Sequence, residues 1–363
     1  MRILVVCTTD SMIWNFLIPH IKYWQDKGDT VEIACSRTGF YIDELRSKHG
    51  FTVHEIPFQR FPFKPKNFTA YKMLKKLVRE NRYDAVVSQE PVGGVLGRMA
   101  GKKYKCKNIY TAHGFHFFKG ALRLNWMLYY PIEKMMARKT DVLVTINEED
   151  YQRSLKFKAK KKVKIDGIGV DLNRFGHVSA SKEELREKLD IPQDAFVILT
   201  VAELIPRKNY ATALQALSKI KEDYLYVICD EGAQMEQMKT LAGELGISDK
   251  VRFMGFCRNV DEFYSASDLF LFPTFQEGLS IALIEAMASG LPVVCSRIRG
   301  NTDLIKDGQG GLLFDPKDTD GFTDGVKKMM NGEGSAFGSF NQEYVKTFSI
   351  DRSMEEFYKA ILS

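Results

Sequence analysis

The sequence predicts an α/β protein of two doubly wound domains, and three observations carry that prediction. Its 363 residues are too many for one ordinary core and about right for two. Short β-branched runs alternate with amphipathic stretches, and the runs are continuous, as in parallel strands covered on both faces. The pattern then restarts after a charged, irregular stretch, so the chain repeats its architecture.

In the first domain the runs place strands at 2–8, 30–35, 52–56, 84–88, 107–112 and 141–145. Helices fall at 13–27, 40–48, 68–81, 92–103, 120–138 and 147–157. The turn-rich Asp166-Gly167-Ile168-Gly169-Val170-Asp171 marks a junction, giving an N-terminal domain over 1–168. Ser181 caps a short helix through Lys182-Glu183-Glu184-Leu185-Arg186, and Ile191-Pro192 stops it. Strands follow at 195–202, 224–230, 251–254, 268–273 and 292–296, with helices near 209–220, 233–245, 259–266 and 279–289. These make a second domain over 169–350. The stretch around Asn331-Gly332-Glu333-Gly334-Ser335 reads as a mobile loop. In the last segment, 351–363, Met354, Phe357, Tyr358 and Ile361 stand at helical spacing, free to pack back on the N-terminal domain. Ligands of open α/β sheets bind at the carboxyl ends of the strands, so two such domains facing a cleft offer it two rims.

An apolar share of 45% with 27% charged residues excludes disordered and fibrous classes. No apolar run approaches the roughly 18–20 residues that span a bilayer, and Met1-Arg2 followed by Ile3-Leu4-Val5-Val6 lacks a signal-peptide layout. Six scattered cysteines without a C-x-x-C pair predict buried free thiols in a reducing compartment, hence a cytoplasmic protein. The net charge of +6 hides a division: residues 1–170 carry 31 Lys and Arg against 16 Asp and Glu, the remainder 21 against 30. In the first half the cations stand among aromatics, in Phe58–Lys64, Lys102–Lys105, Phe115–Lys119 and Lys156–Lys162. A solvated face is one reading of each cluster. Nucleic acid lacks a recognition-helix, RNP or zinc-finger pattern. An anionic membrane surface accounts best for cations beside Phe and Tyr, and predicts peripheral attachment.

The passage from Phe272 to Val294 reads as strand, loop, helix and strand. The amides of Gly278, Leu279 and Ser280 would lie unpaired at the helix start, where the dipole favours an anion. Glu277 and Glu285 are eight residues apart, roughly 12 Å on continuous helix geometry. That exceeds the ~5–5.5 Å of a retaining glycosidase pair and suits the two ends of an extended ligand. The plainer alternative makes Glu277 a helix cap and Glu285 half of a structural pair. His113 ends a strand on the rim, where a cleft role stands beside the structural role usual for a lone histidine. His116 follows at i+3 with no carboxylate nearby and no helix between them, so no metal site is expected. Asp318-Thr319-Asp320 has a D-x-D spelling but lies in a late, surface-like stretch. Walker, G-x-S-x-G and H-E-x-x-H patterns are absent.

The run E-G-L-S-I-A-L-I-E-A-M-A-S-G-L-P-V-V, from Glu277 to Val294, closely resembles the E-x(7)-E signature of family-4 glycosyltransferases, the retaining group with a GT-B fold. The likeness extends through Pro91–Arg98, Thr111–His116, Gly167–Asp171 and Ala202–Asn209, and is nearest to bacterial enzymes that build capsule, exopolysaccharide or O-antigen repeat units. It implies a nucleotide-sugar donor held by the second domain. Glu285 would hold the ribose hydroxyls and Glu277 the donor-sugar hydroxyls, while Gly278, Leu279 and Ser280 approach sugar and diphosphate. Lys208 would neutralise the departing diphosphate. The family pattern G-R-L-x-P-x-K has Arg where this chain has Glu203, and Arg207 is the candidate substitute. The Gly255-Phe256-Cys257 turn falls where the family holds the nucleobase, and His113 would hydrogen-bond the donor sugar. Asp10 and Ser11, in the Thr8-Thr9-Asp10-Ser11 loop, and His116 would face the acceptor.

The expected activity is therefore retaining, metal-independent transfer of a hexosyl or N-acetylhexosaminyl group from a UDP-sugar to a polyprenyl-diphosphate-linked saccharide, at the cytoplasmic face of the membrane. No cofactor is implied. Two rivals stand beside it: a sugar-nucleotide epimerase of the same fold, and a non-catalytic sugar-nucleotide-binding protein.

Overall fold

Seven parallel strands form the sheet of the first of two units, which comprises residues 1–169 and 350–363 in the computed structural model. All residues except Phe40 and His177 are described. The strands are β1 (Arg2–Thr9), β2 (Thr30–Ser36), β3 (Thr52–Glu55), β4 (Ala85–Gln89), β5 (Lys107–Ala112), β6 (Val142–Thr145) and β7 (Lys161–Lys164). Their order is β3-β2-β1-β4-β5-β6-β7. The central strands are continuous apolar runs because helices cover both faces. Helices α1 (Ile18–Asp26), α2 (Lys66–Asn81), α3 (Pro91–Lys103) and α4 (Arg123–Ala137) belong to this unit.

The Gly-rich passage after Pro91 is a packing device. It forms the first turns of α3, where Gly93 lies so close to β1 that an added Cβ would sit 3.1 Å from the Thr8 amide nitrogen. Further along, Cβ atoms on Gly94, Gly97 and Gly101 would strike Tyr110, Ser88 and Asn108. Strand β7 has no counterpart among the expected elements. Its Lys-Lys-Val-Lys sequence starts in the last two residues of a run read as a basic cluster, yet lysines suit an edge strand because they discourage pairing with another chain. The aromatics of that cluster and of Phe115–Lys119 need a second correction. Phe115, Phe117 and Phe157 are buried, with Phe115 and Phe117 stacked at 4.7 Å and Phe157 edge-on to Phe115 at 5.8 Å. Interleaving with lysine reflects a core face alternating with a wet one.

The second unit spans residues 170–349. Its strands are β8 (Phe196–Val201), β9 (Tyr224–Cys229), β10 (Val251–Gly255), β11 (Leu269–Phe272), β12 (Val293–Ser296) and β13 (Gly311–Phe314), all parallel in the order β10-β9-β8-β11-β12-β13. This is the order of a doubly wound dinucleotide fold. Its helices include α5 (Tyr210–Leu217), α6 (Val260–Ala266) and α7 (Ile281–Ala288). The Ser181 cap forms as read, with a reciprocal bond from the Ser181 amide to Glu184 at 2.8 Å. Asn331–Ser335 is a turn between two helices. Asp318 caps the helix Thr319–Met330 by accepting from the Gly321 amide at 2.9 Å. All six cysteines are free thiols, five of them buried.

Helix α8 (Ile350–Leu362) belongs to the first unit. Phe357 packs edge-on against His20 and Trp24 of α1, each at 5.5 Å, and Ser353 donates to the Gly167 carbonyl at 2.8 Å. His20 is fully buried, with Nε2 2.8 Å from the Ile168 carbonyl. Burial lowers its pKa from 6.5 to about 4. A depressed histidine pKa stabilises the fold above the unfolded value and loses that contribution as pH falls from 6.5 towards 4. Urea unfolding at pH 7 and pH 4.5 is expected to show His20→Gln losing about 2.5 kcal/mol less than wild type over that interval. An equal loss in both proteins would contradict the assignment.

Candidate active site

A doubly wound sheet opens a crevice where its strand order reverses. In the second unit that point lies between β8 and β11, so the site is built from the loops that follow them. After β8 the chain turns through Pro206-Arg207-Lys208, a short 3-10 turn, and Asn209 adopts a left-handed conformation with φ 59°. Asparagine tolerates that region better than most residues. Its Nδ2 donates to the carbonyls of Pro273 and Pro316, both at 2.7 Å, which fixes the β8 loop against the β11 loop. Asn209 ends the Ala202–Asn209 stretch of the resemblance, which assigns it no task.

Lys208 therefore arrives beside Glu277. Its Nζ donates to Glu277 Oε1 at 2.8 Å and lies 4.9 Å from the centroid of the Phe272 ring. Only 11% of the lysine side chain and 8% of the glutamate side chain are exposed. Burial pulls the Lys208 pKa down, and the adjacent carboxylate opposes that shift. Arg207 Nη1 reaches the same oxygen at 3.4 Å and the Gln276 carbonyl at 3.3 Å. Two cations thus converge on one carboxylate without an arginine at position 203. Glu203 is exposed and lines a separate open pocket with Asp230 and Glu231 at the ends of β8 and β9.

Helix α7 starts at Ile281, two residues later than expected, because Ser280 is its N-cap and accepts from the Leu283 amide at 3.4 Å. Gly278, Leu279 and Ser280 are therefore loop residues, and among the described residues their amides donate to no acceptor. Continuous helix geometry consequently does not set the Glu277–Glu285 separation. Arg299 supports the loop by donating to the Glu277 carbonyl at 3.0 Å. Gly300, at φ 82°, packs where a Cβ would come within 2.5 Å of the Gly278 carbonyl oxygen. Only glycine meets both conditions. Neither residue is singled out by the sequence.

Glu285 lies on α7, where Tyr264 OH from α6 sits 3.1 Å from its Oε2. Burial raises its carboxyl to about 7, while the Tyr264 bond and the nearby Arg174 charge pull the other way. Phe256 follows β10 with 68% of its surface exposed, and Gly255 precedes it at φ 70°. It stands at the strand end with Asp230, whose amide donates to the Gly255 carbonyl at 2.8 Å.

In the first unit the order reverses between β1 and β4. Here Asp10 is fully buried, with Oδ1 accepting the Thr38 amide at 3.1 Å and the Thr38 hydroxyl as well. Its other oxygen has no partner among the described residues. The Ser11 hydroxyl donates to Thr9 Oγ1 at 3.1 Å. His113 follows β5 and is half-buried, with Nε2 2.7 Å from Gln89 Oε1. Burial lowers its pKa to about 4, leaving a neutral ring at pH 7. His116 stacks on Tyr129 of α4 at 4.5 Å. Both histidines line a 220 Å³ cavity with Glu90, which the sequence reading missed. Among the described residues no group of three His, Cys, Asp or Glu side chains could hold a metal ion.

Comparison with known proteins follows these two rims. The description "Glycosyl transferase 4-like" matches residues 2–147, and "Glycosyl transferases group 1" matches residues 181–343. EpsD of Bacillus subtilis (strain 168), named as a glycosyltransferase, is 37% identical over 98% of this chain and 94% of its own length. An Escherichia coli UDP-Gal:alpha-D-GlcNAc-diphosphoundecaprenol alpha-1,3-galactosyltransferase is 30% identical over 70% of this chain and 68% of its own. Among solved structures, Anabaena HepE in complex with UDP superposes with a TM-score of 0.86 at 17% identity over both full chains. WaaG, a lipopolysaccharide glycosyltransferase, gives 0.77 at 18% over 100% of this chain and 99% of its own. With both halves matched, a relative aligned almost end to end and two parallel Rossmann-like sheets, the chain belongs to the glycosyltransferase family that unites the 4-like and group 1 domains, and its fold is GT-B.

Proposed function

We propose that this chain transfers a hexosyl or N-acetylhexosaminyl group, with retention at the anomeric carbon, from a UDP-sugar to a polyprenyl-diphosphate-linked saccharide in bacterial surface-polysaccharide synthesis. The observation that carries this reading is the buried Lys208–Glu277 pair, with Arg207 on the same oxygen and, directly after it, three amides that donate to no acceptor among the described residues. Such an arrangement suits a diphosphate bonded to a hydroxyl-rich ring: cations and N–H groups for the phosphates, a carboxylate for the hydroxyls. Glu285 takes the ribose hydroxyls and Phe256 the base. The acceptor oxygen bonds to the anomeric carbon as the bond from that carbon to the phosphate oxygen breaks, and the acceptor proton passes to the leaving diphosphate. Lys208 and Arg207 stabilise the charge that develops there. The neutral His113 ring serves the sugar as a hydrogen-bonding group, and Asp10, Ser11 and His116 are assigned to the acceptor side. No step calls on a metal. The names of the E. coli relative and of the HepE complex favour UDP among the nucleotides. A panel of UDP-, GDP- and ADP-sugars assayed for slow hydrolysis tests the donor. Release from UDP-sugars is expected, and turnover confined to GDP- or ADP-sugars would overturn that choice.

Attachment to an anionic membrane surface is the second part of the proposal. No helix among the described residues is long and apolar enough to cross a membrane. Helix α4 nevertheless exposes Leu124, Met127 and Met135 at helical spacing, with Leu122 just before it. The charges exposed along it, Arg123 and Lys134, are cations, and its acidic residue, Glu133, is buried against Arg98. Phe61, Phe63 and Phe68, at the start of α2 and in the loop before it, are also exposed, among Lys64, Lys66 and Lys72. Apolar groups flanked by cations suit an interface carrying negative headgroups. In flotation at low salt, the protein is expected to rise with vesicles containing anionic lipid and to remain behind with neutral ones. Equal binding to both would remove the electrostatic part.

A further inference from the structure

Glu90 is held in a conformation that glutamate avoids. It follows β4, immediately before Pro91, with φ 61° and ψ 161°, a region essentially reserved for glycine and costing a side-chain-bearing residue about 1–3 kcal/mol. The carboxylate shows what the strained backbone achieves. Its Oε2 accepts the amides of Thr8 at 2.8 Å and Thr9 at 3.2 Å, at the end of β1. One oxygen is thereby pinned across the switch point of the first sheet, and the group lines the 220 Å³ cavity with His113, His116, Phe115, Tyr110 and Tyr129. At about 30 Å³ per water molecule, that space holds about seven waters, the scale of one monosaccharide ring.

The lining has the character of a sugar pocket. Stacked His116 and Tyr129 supply a flat aromatic wall, and His113 supplies a neutral ring bonded to Gln89. Arg98 is committed to Glu133 through bonds of 2.9 and 3.1 Å, and the exposed Arg60 is the cation whose charge acts on Glu90. The pocket thus offers the Glu90 carboxylate to the hydroxyls of a ring.

We propose that this cavity binds one neutral monosaccharide ring and that Glu90 is the specificity-determining carboxylate that accepts its hydroxyls. The inference rests on the glycosyltransferase reading above, and assigns this ring to the sugar unit of the acceptor. Uronic acids are disfavoured, because their carboxylate would face that of Glu90.

Saturation-transfer NMR on the full chain tests this with three probes: methyl N-acetyl-α-glucosaminide, methyl α-galactoside and methyl α-glucuronide. At least one neutral glycoside is expected to bind wild type, and at least tenfold more tightly than the glucuronide. Glu90→Gln keeps an oxygen for the Thr8 and Thr9 amides, so the fold is retained. It should weaken the neutral glycoside about 10- to 100-fold, the range for losing a charged hydrogen-bond acceptor. Tyr129→Leu should weaken the same probe by removing the aromatic wall. Unchanged affinity in Glu90→Gln, glucuronide binding as tight as the neutral sugars, or no saccharide bound by wild type would each overturn the proposal. UDP titration of the same samples reports separately on the second unit: it is expected to be unaffected by Glu90→Gln, and failure of wild type to bind UDP would sink the donor reading instead.

Discussion

Replacing Lys208 with methionine should lower the transfer rate by about 10²- to 10³-fold, the cost of removing one preorganised group from developing negative charge. Methionine preserves much of the apolar stem that lies over Phe272 and deletes only the ammonium. The loss should fall on kcat more than on donor KM, because the diphosphate carries more charge when leaving than when bound as a diester. Global stability should change little: Glu277 Oε1 retains Arg207 at 3.4 Å, so no buried carboxylate is stranded. Single-turnover kinetics with an established donor and acceptor, together with a thermal melt, separate these terms. A fully active, folded Lys208→Met protein would remove this lysine from the chemistry and leave the convergence on Glu277 a structural pair.

Arg98→Ala should be the most damaging substitution for stability in the first unit. Arg98 is completely buried on α3, its guanidinium bonded through both terminal nitrogens to Glu133 of α4 and centred 3.8 Å from the Tyr110 ring. Truncation leaves the Glu133 carboxylate uncompensated in an apolar setting. Breaking one side of a buried pair costs about 3–5 kcal/mol. Denaturant unfolding should show that loss, and the double variant Arg98→Met with Glu133→Leu should recover most of it by removing both charges. If the single variant lost less than about 1 kcal/mol, close to an ordinary surface change, the pair would have to be hydrated rather than buried.

Much of this was legible in the amino-acid order because parallel strands covered on both faces announce themselves as continuous apolar runs. Two edge strands escaped: in β7, Lys-Lys-Val-Lys resembles a charged tract, and in β13 the short apolar run of Gly-Leu-Leu-Phe is enclosed by the turn residues Gly308, Gly310, Asp315 and Pro316. Glu277, Glu285 and Lys208 were readable since their spacing belongs to a motif. Glu90, Arg299 and Asn209 act through a backbone dihedral or a long-range bond to a carbonyl, and no local pattern encodes either. Phe115 and Phe157 misled for a related reason, since a core face interleaved with lysines spells the same string as a basic aromatic surface.

Helix α8 also bears on how the chain reaches its native state. The polypeptide leaves the first unit after Gly169 and re-enters it at Ile350. The two crossing strands run side by side, since the Val170 amide donates to the Phe348 carbonyl at 3.1 Å. A ribosome therefore makes the whole second unit before supplying the piece that covers His20 and Trp24. Until then a nascent intermediate exposes that apolar seam to solvent, a natural handle for chaperones and a point at which premature termination would yield an aggregation-prone fragment.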